Sequence, residues 1–309
     1  MTRLRNFLLL VTLAAAAAMP NSLKAAAPTV TTADSGTNTT ASIPDLSGRW
    51  AHPGFPGFEP LASGPTSLTN RSRREDGVGN VLQLVGDYTN PILKPEAAAT
   101  VKAFAELSIA HFGFHNPRNQ CWPNGVPFIL SVGMELLQQP DKITIIYGVD
   151  HQFRQVRMNA QHPAQVTPSW YGDSVGHYEG DTLVIDTVGI KVGPFAMVDW
   201  YGTPQTPALH VVERYRLLDY EAAKEGLDRD AKENARGAQP VNMDPNYRGK
   251  YLQLLFTVED PNVFTTPWSA TETYGKPMVE WAEGVCAENP RKYGTEEDAQ
   301  VPTAAKPDF

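Results

Sequence analysis

The sequence lacks a hydrophobic run long enough to cross a bilayer, which takes about 20 apolar residues. Its longest apolar stretch, Phe7–Ala18, is shorter and follows two cations, Arg3 and Arg5. Three alanines before residue 28 supply the small side chains that a signal peptidase requires. We therefore predict a cleavable signal peptide over 1–27, a periplasmic or secreted location, and no membrane insertion.

Basic clusters are also missing from the sequence. The net charge is -8 at pH 7, and cleavage after the signal peptide removes Arg3, Arg5 and Lys24 but no acid, which leaves about -11. A surface with this charge repels polyphosphates and anionic lipids. The sequence therefore predicts no nucleic-acid partner.

Cysteine is scarce: the chain has only Cys121 and Cys286. In an oxidising compartment an isolated pair most simply forms a disulfide, here closing a loop of about 165 residues. A catalytic thiol is the competing interpretation, but neither cysteine has an adjacent histidine to lower its pKa. We predict the disulfide.

Motifs for nucleotide, zinc and serine chemistry are absent, including Gly-x-Gly-x-x-Gly, His-Glu-x-x-His and Gly-x-Ser-x-Gly. Ser174 lies between glycines, but no strand-to-helix turn follows it. His111 and His115 have the spacing of one helix face, yet Gly113 between them predicts that the helix has already ended. We predict neither a cofactor nor a bound metal.

The composition divides the remainder of the chain into a leader, a folded body and a tail. Residues 28–43 are rich in Thr, Ala and Ser and read as a flexible leader. A single β-rich domain is predicted over 44–293, with a charged, solvated helical insertion at 220–248 and a flexible tail at 294–309. The Gly- and Pro-rich stretch 52–79 is typical of a surface segment.

Within the domain one early helix is followed by short β-type runs. Pro95 begins the helix, whose body is Ala97–His111. Alternating or apolar runs separated by turn residues predict strands at 142–148, 152–158, 174–178, 182–187, 209–217, 251–259, 268–274 and 278–285. Strands joined by tight turns favour a mainly β, antiparallel, barrel-like domain with an N-terminal helix.

The stretch 150–219 resembles a large group of uncharacterised exported bacterial proteins. The motifs that carry the resemblance are Trp170-x-Gly-Asp-Ser-x-Gly, Glu179-Gly-Asp-Thr-Leu-Val-x-Asp-Thr and Leu209-His-Val-Val-Glu-Arg, flanked by Asp45-Leu-Ser-Gly-x-Trp and Glu283-x-x-Cys-x-Glu-Asn. The Gly-x-Trp segment is also similar to the first strand of lipocalin-like barrels. The resemblance therefore implies a lipocalin-like fold, and it implies no activity.

Polar residues inside strand-like runs are the candidate catalytic groups: Asp150, His151, His162 and Asp186. Asp186 interrupts the apolar run 183–185, and a buried carboxylate needs a partner, so His162 with Asp186, or His151 with Asp150, are the pairs to test. The competing interpretation is an Asp/Glu–Arg network that only fixes hairpin geometry.

The candidate ligand-binding residues are Arg154 and five aromatic residues, Trp170, Tyr171, Trp200, Tyr201 and Trp268. Aromatic side chains wall small-molecule sites, although they also dominate β cores. Two functions follow as hypotheses. The first is an envelope binding protein for a hydrophobic or aromatic small molecule held in a barrel cavity. The second is a cofactor-free lyase, isomerase or hydrolase that uses His/Asp acid–base groups in the same cavity.

Overall fold

The computed structural model describes residues 43–52, 57–80, 82–110, 116–149, 152–233, 243–278, 280–281 and 286. The predicted signal peptide, nearly all of the leader, the tail and the histidines at 111, 115 and 151 lie outside the described residues, as does Asp150. Most of the strand predicted at 278–285 also lies outside them.

The described part of the chain contains ten strands and two helices. The strands are β1 (Gly48–Trp50), β2 (Glu59–Pro60), β3 (Met134–Gln138), β4 (Lys142–Tyr147), β5 (Phe153–Met158), β6 (Asp173–Glu179), β7 (Thr182–Val188), β8 (His210–Leu218), β9 (Tyr251–Glu259) and β10 (Trp268–Tyr274). The helices are α1 (Pro95–Ala110) and α2 (Tyr220–Glu233). Two short 3-10 turns, Arg118–Gln120 and Phe128–Ser131, precede β3.

The ten strands form one sheet that curls into a half-barrel, in the order β1-β3-β4-β5-β6-β7-β8-β9-β10-β2. The pairs are antiparallel except β5 with β6, which are parallel because the loop 159–172 returns the chain to the same end of the sheet. Ala51 and Gly275 exchange two backbone hydrogen bonds of 2.8 and 2.9 Å, which join β1 to the end of β10. The predicted mainly β, barrel-like fold is confirmed; its lipocalin likeness stays a prediction.

Side chains fill the inside of the curled sheet. Alternate residues of the long strands are completely buried, among them Leu136, Ile145, Val156, Ile185, Val211, Leu254 and Phe256. They belong to one hydrophobic core that also takes in residues of α1. A side chain with no exposed surface borders no cavity large enough for water. Among the described strands, side chains therefore fill the inside of the sheet.

Helix α1 covers this core with one face. Pro95 is preorganised for the first helical position, and Glu96 favours the positive end of the helix dipole. Ala97, Val101 and Ala105, spaced four residues apart, are the apolar side chains that it buries. The predicted N-terminal helix is therefore confirmed over Pro95–Ala110. Neither helix among the described residues has the length and hydropathy of a membrane span.

The stretch 52–79 corrects the prediction of a surface segment. It contains β2, which pairs with β10. Within the stretch Phe58, Glu59, Leu68 and Asn70 are buried. The glycine and proline content of this stretch is typical of a surface loop. Contacts with β10, which is distant in sequence, nevertheless bury part of it. The charged insertion does form a helix, α2, and it buries Ala223, Gly226 and Asp230 instead of staying fully solvated.

The predicted cysteine pair lies at disulfide distance. The sulfurs of Cys121 and Cys286 are 2.14 Å apart, and their Cα atoms are 5.4 Å apart. Cys121 has positive φ, +54°, just after the turn Arg118–Gln120. The bond thus anchors the segment that carries Trp122.

Candidate functional site

His162 lies between two carboxylates on the outer face of the sheet. Its Nδ1 is 2.6 Å from Asp173 Oδ1, and its Nε2 is 3.0 Å from Asp186 Oδ1. Arg157 holds Asp173 from the other side, with Nη2 2.6 and 2.8 Å from the two carboxylate oxygens. The structure therefore brings together the His162 and Asp186 that the sequence put forward as a pair, and it adds two charged neighbours.

His210 extends the same network across the next strand. Its Nε2 is 3.1 Å from the same Oδ1 of Asp186, and its Nδ1 is 3.7 Å from Glu259 Oε2. The contact with Glu259 is longer than the one with Asp186, so His210 lies between two carboxylates and is held more closely by Asp186. We call His162, Asp173, Asp186 and His210 the imidazole–carboxylate network.

Strand register explains why these residues meet. Asp173 begins β6 and pairs with Val188 at the end of β7, and His210 at the start of β8 pairs with Glu259 at the end of β9. Asp186 lies two residues from the end of β7 on the face opposite the buried Ile185 and Thr187. His162 reaches this end from the loop between β5 and β6. The network therefore lies at one end of the sheet, outside the core.

Hydrogen bonds and partial burial shift the ionisation of the network. The hydrogen bond from His210 lowers the pKa of the Asp186 carboxyl against the effect of burial, and His162 contributes in the same direction. The hydrogen bond to Asp186 raises the pKa of the His210 imidazole above its ordinary value of 6.5, with Glu259 adding to the rise. Both shifts favour a carboxylate on Asp186 next to an imidazolium on His210.

Arg154 lies in the core rather than in a site open to ligand. Its guanidinium makes two hydrogen bonds to the Glu213 carboxylate, and both side chains are buried. Ser174, Thr187 and Tyr147 accept its remaining contacts. Burial alone would lower the pKa of Arg154, but the Glu213 carboxylate outweighs it and raises that pKa above its ordinary value. The Glu213–Arg154 pair is a buried structural contact, but it joins β5 to β8 and so does not fix the geometry of one hairpin.

Three of the five predicted aromatic residues belong to the core. Trp268 packs edge-on against Phe256 and Phe264. Trp200 packs on Phe128 at 4.5 Å between ring centres and donates from Nε1 to Ser131. Tyr201 is completely buried. These side chains fill space inside the fold and have no open face for a ligand.

Trp170 and Tyr171, in contrast, are only half-buried. The Trp170 ring meets Trp122 edge-on at 5.4 Å, and Trp122 meets Phe195 at 6.2 Å. The ammonium of Lys191 lies 5.1 Å from the centre of the Trp170 ring. We call Trp122, Trp170 and Phe195 the aromatic surface group. Tyr171 stacks on Tyr147 at 5.7 Å and contacts Gln152.

The loops that carry this group leave the sheet at the same end as the imidazole–carboxylate network. Trp170 lies three residues before the start of β6, and Phe195 lies in the loop between β7 and β8. Backbone hydrogen bonds tie the two loops together, from Ser169 to Gly189 at 3.1 Å and from Lys191 to Ser169 at 2.8 Å. Trp122, Phe195 and Lys191 meet Trp170 through contacts between segments that are distant in the chain, and His210 meets Asp186 through the register of β7 and β8, so local sequence patterns do not indicate them.

Comparisons with protein-family models, curated proteins and solved structures find no match for the chain.

Proposed function

We propose that this protein binds a small aromatic or hydrophobic molecule against the aromatic surface group, with Lys191 beside the bound ring. The observation that carries the proposal is the half-buried Trp122–Trp170–Phe195 arrangement with a cation next to it. Aromatic faces offer a flat apolar contact, and a neighbouring ammonium adds attraction for an acidic substituent. The ligand site is placed outside the sheet because the protein's own side chains occupy its inside.

Preorganisation supports the proposal. A side chain at Gly193 would come within 2.3 Å of the Trp170 ring, so the indole lies directly on the Gly193 backbone. The loop–loop hydrogen bonds and the anchoring of Cys121 hold both ends of the group. A rigid site loses little conformational entropy on binding, which increases affinity. Exposed Val192, next to Lys191, widens the apolar surface.

A thermal-shift screen of lipids, terpenoids and plant aromatic compounds tests the proposal. We expect hits to raise the Tm of the wild type, Trp170→Ala to abolish the shift, and Gly193→Ala to reduce it by displacing the indole. The matched control is Phe153→Ala, which removes an exposed aromatic ring of β5 that is not part of the aromatic surface group. Equal loss of binding in Phe153→Ala and Trp170→Ala, or no loss in either, would contradict the assignment.

The imidazole–carboxylate network favours a second candidate function, acid–base catalysis of a lyase, isomerase or hydrolase type without a cofactor. Both contacts of Asp186 use Oδ1, so Oδ2 of this side chain, which is 39% exposed, is open to a ligand. The His210 ring can donate a proton nearby, and its raised pKa favours the protonated form. The site thus presents one acceptor and one donor to a molecule held by the aromatic surface group.

Histidine variants separate the two candidates. If the protein only binds, His162→Gln and His210→Gln leave the affinity for screen hits within a few fold. If it also catalyses, they remove turnover of a hit while its affinity persists. His177→Gln is the matched control, since His177 is an exposed strand histidine paired with a carboxylate, Glu179.

We also propose that the protein is exported to the periplasm or the medium. The pairing of both cysteines fits an oxidising compartment. Expression of the full chain in a bacterium, followed by fractionation and N-terminal sequencing, tests this. The expected result is a mature chain that begins close to residue 28 outside the cytoplasm, and an uncleaved cytoplasmic chain would contradict it.

A further inference from the structure

A second histidine–carboxylate cluster is buried where the segment 51–60 closes the sheet. His52 follows Ala51, which is bonded to Gly275 just beyond β10, and Glu59 belongs to β2. Glu272 lies in the middle of β10. The exposed fractions of His52, Glu59 and Glu272 are 2%, 1% and 0%. Neither proposed function uses this cluster.

The donor atoms of the three side chains converge. One nitrogen or oxygen from each of His52, Glu59 and Glu272 lies within 4.8 Å of the others, and His52 Nε2 contacts Glu272 Oε2 directly. One imidazole and two carboxylates form a donor set that suits first-row divalent transition metals. Calcium prefers a shell made of oxygen alone, and copper(I) prefers sulfur.

A third acid lies next to the cluster. Asp230 of α2 is buried beside it and adds a third carboxyl to the two glutamates. Buried acids are costly unless they are paired or coordinate a metal. A divalent ion held by Glu59 and Glu272 would offset the negative charge of their carboxylates.

Surrounding groups hold Glu59 in position. Its Oε2 accepts hydrogen bonds from the hydroxyls of Thr271 and Thr273 at 3.1 and 2.7 Å, and its Oε1 accepts the Thr273 backbone N–H at 2.8 Å. Helix α2 covers the carboxylate closely, since a Cβ at Gly226 would lie 3.4 Å from Glu59 Oε2. Outer hydrogen bonds of this kind orient a metal-binding carboxylate and support its affinity.

We propose that His52, Glu59 and Glu272 bind one divalent transition-metal ion, such as Zn²⁺, in a closed structural site. The ion would tie the segment 51–60 to β10 and so hold the two ends of the sheet together. The near-complete burial of all three ligands favours a structural role over a catalytic one, which requires a position open to substrate. The prediction of no metal rested on histidine spacing along the chain, and these ligands come from distant segments.

Metal uptake by the full chain tests the proposal. The protein is unfolded in urea with a chelator, refolded without metal, and titrated with Zn²⁺ for Tm and with Co²⁺ for visible absorption. We expect one ion per chain, d–d bands that show bound Co²⁺, and a higher Tm with Zn²⁺. Glu272→Gln and Glu59→Gln should each weaken Co²⁺ binding at least about tenfold.

The matched control is Asp199→Asn, a buried carboxyl outside the cluster, which should bind Co²⁺ as the wild type does. Thr273→Val tests the site without touching a ligand: it removes the 2.7 Å hydrogen bond to Glu59 and should weaken Co²⁺ binding less than Glu59→Gln does. A wild-type chain that takes up no Co²⁺ at micromolar concentrations, or an equal loss in Asp199→Asn and Glu272→Gln, would overturn the proposal even if a glutamine variant failed to fold.

Discussion

Arg154 and Glu213 form a bidentate ion pair inside the curled sheet, with Nη1–Oε2 and Nη2–Oε1 distances of 3.1 and 2.7 Å. Tyr215 donates a third hydrogen bond to this carboxylate at 2.8 Å. The pair links β5 to β8 across the core, between strands that are not neighbours in the sheet. Its burial means that its contribution to stability depends on both charges being present.

Removing one member of this pair should therefore cost more than removing both. We expect Glu213→Gln or Arg154→Met to lower the free energy of unfolding by about 3–5 kcal/mol, because each leaves a charge or its donors buried without the partner. The double variant should recover part of that loss. Urea denaturation of the four proteins measures the difference, and strictly additive losses would show that the two charges do not stabilise each other.

The buried carboxyl of Asp199 should make the stability of the protein depend on pH, and Asp199→Asn should remove that dependence. Burial raises the pKa of its carboxyl from 3.8 to about 6, although the hydroxyl of Thr203 and the backbone N–H groups of Tyr201 and Thr203 donate to it. Between these pH values the folded state binds a proton that the unfolded state has released, so stability falls as pH rises.

Asp199→Asn keeps the amide oxygen as an acceptor and cannot ionise. Its stability relative to the wild type should therefore increase by on the order of 3 kcal/mol between pH 4 and pH 7. Urea midpoints at several pH values provide the measurement. A constant difference between the two proteins over this range would contradict burial as the cause of the pKa shift.

The Asp186–His210 contact predicts a second pH dependence, in which a stabilising contribution is lost as pH rises through the folded-state pKa of His210. The pKa of His210 is raised above 6.5, so its contribution is complete below pH 6.5 and is lost as pH rises through the folded-state pKa. The pKa of Asp186 is lowered from 3.8, so its contribution is lost as pH falls below that value. The contact therefore stabilises most between about pH 4 and 6.5.

His210→Gln should destabilise the protein more at pH 5.5 than at pH 8.5. The difference should stay at or below about 1 kcal/mol, because both side chains are partly exposed and solvent screens them. Paired urea titrations of wild type, His210→Gln and His177→Gln measure it. A larger loss at pH 8.5 than at pH 5.5 would reverse the assigned sign.

The disulfide should stabilise the fold by limiting the conformational entropy of the unfolded chain. Cys121→Ser with Cys286→Ser frees a loop spanning 165 residues and should lower the free energy of unfolding by about 4–5 kcal/mol in the simple entropy model. Dithiothreitol should produce a similar loss in the wild type and none in the double variant. A reductant effect of equal size in both proteins would show that it acts elsewhere.

The strands were predictable from sequence because their signals are local. The run Tyr251–Glu259 alternates over nine residues, and Glu179-Gly180-Asp181 marks a tight turn, so β9 and the β6–β7 hairpin follow from periodicity and turn chemistry. Asp186 could be identified as needing a partner because it interrupts an apolar run. These features depend on residues close together in the chain.

What sequence reasoning missed depends on distant segments. His52 and Glu59 lie in a stretch whose Gly and Pro content is typical of a surface loop, and only pairing with β10 buries them. Trp122 joins Trp170 because two loops and a disulfide meet at one end of the sheet. Trp268, predicted to line a ligand site, is core because aromatic side chains from distant segments, Phe58, Phe256 and Phe264, pack against it.

The central claim is that a ligand binds the aromatic surface group and not the inside of the sheet. Its most direct test is a ¹⁵N-indole NMR titration of the mature protein with the best hit of the thermal-shift screen, since the six tryptophans give separate signals. We expect the indole signals of Trp122 and Trp170 to shift while those of Trp200 and Trp268 stay in place. Shifts of Trp200 and Trp268 with Trp122 and Trp170 unchanged would contradict it.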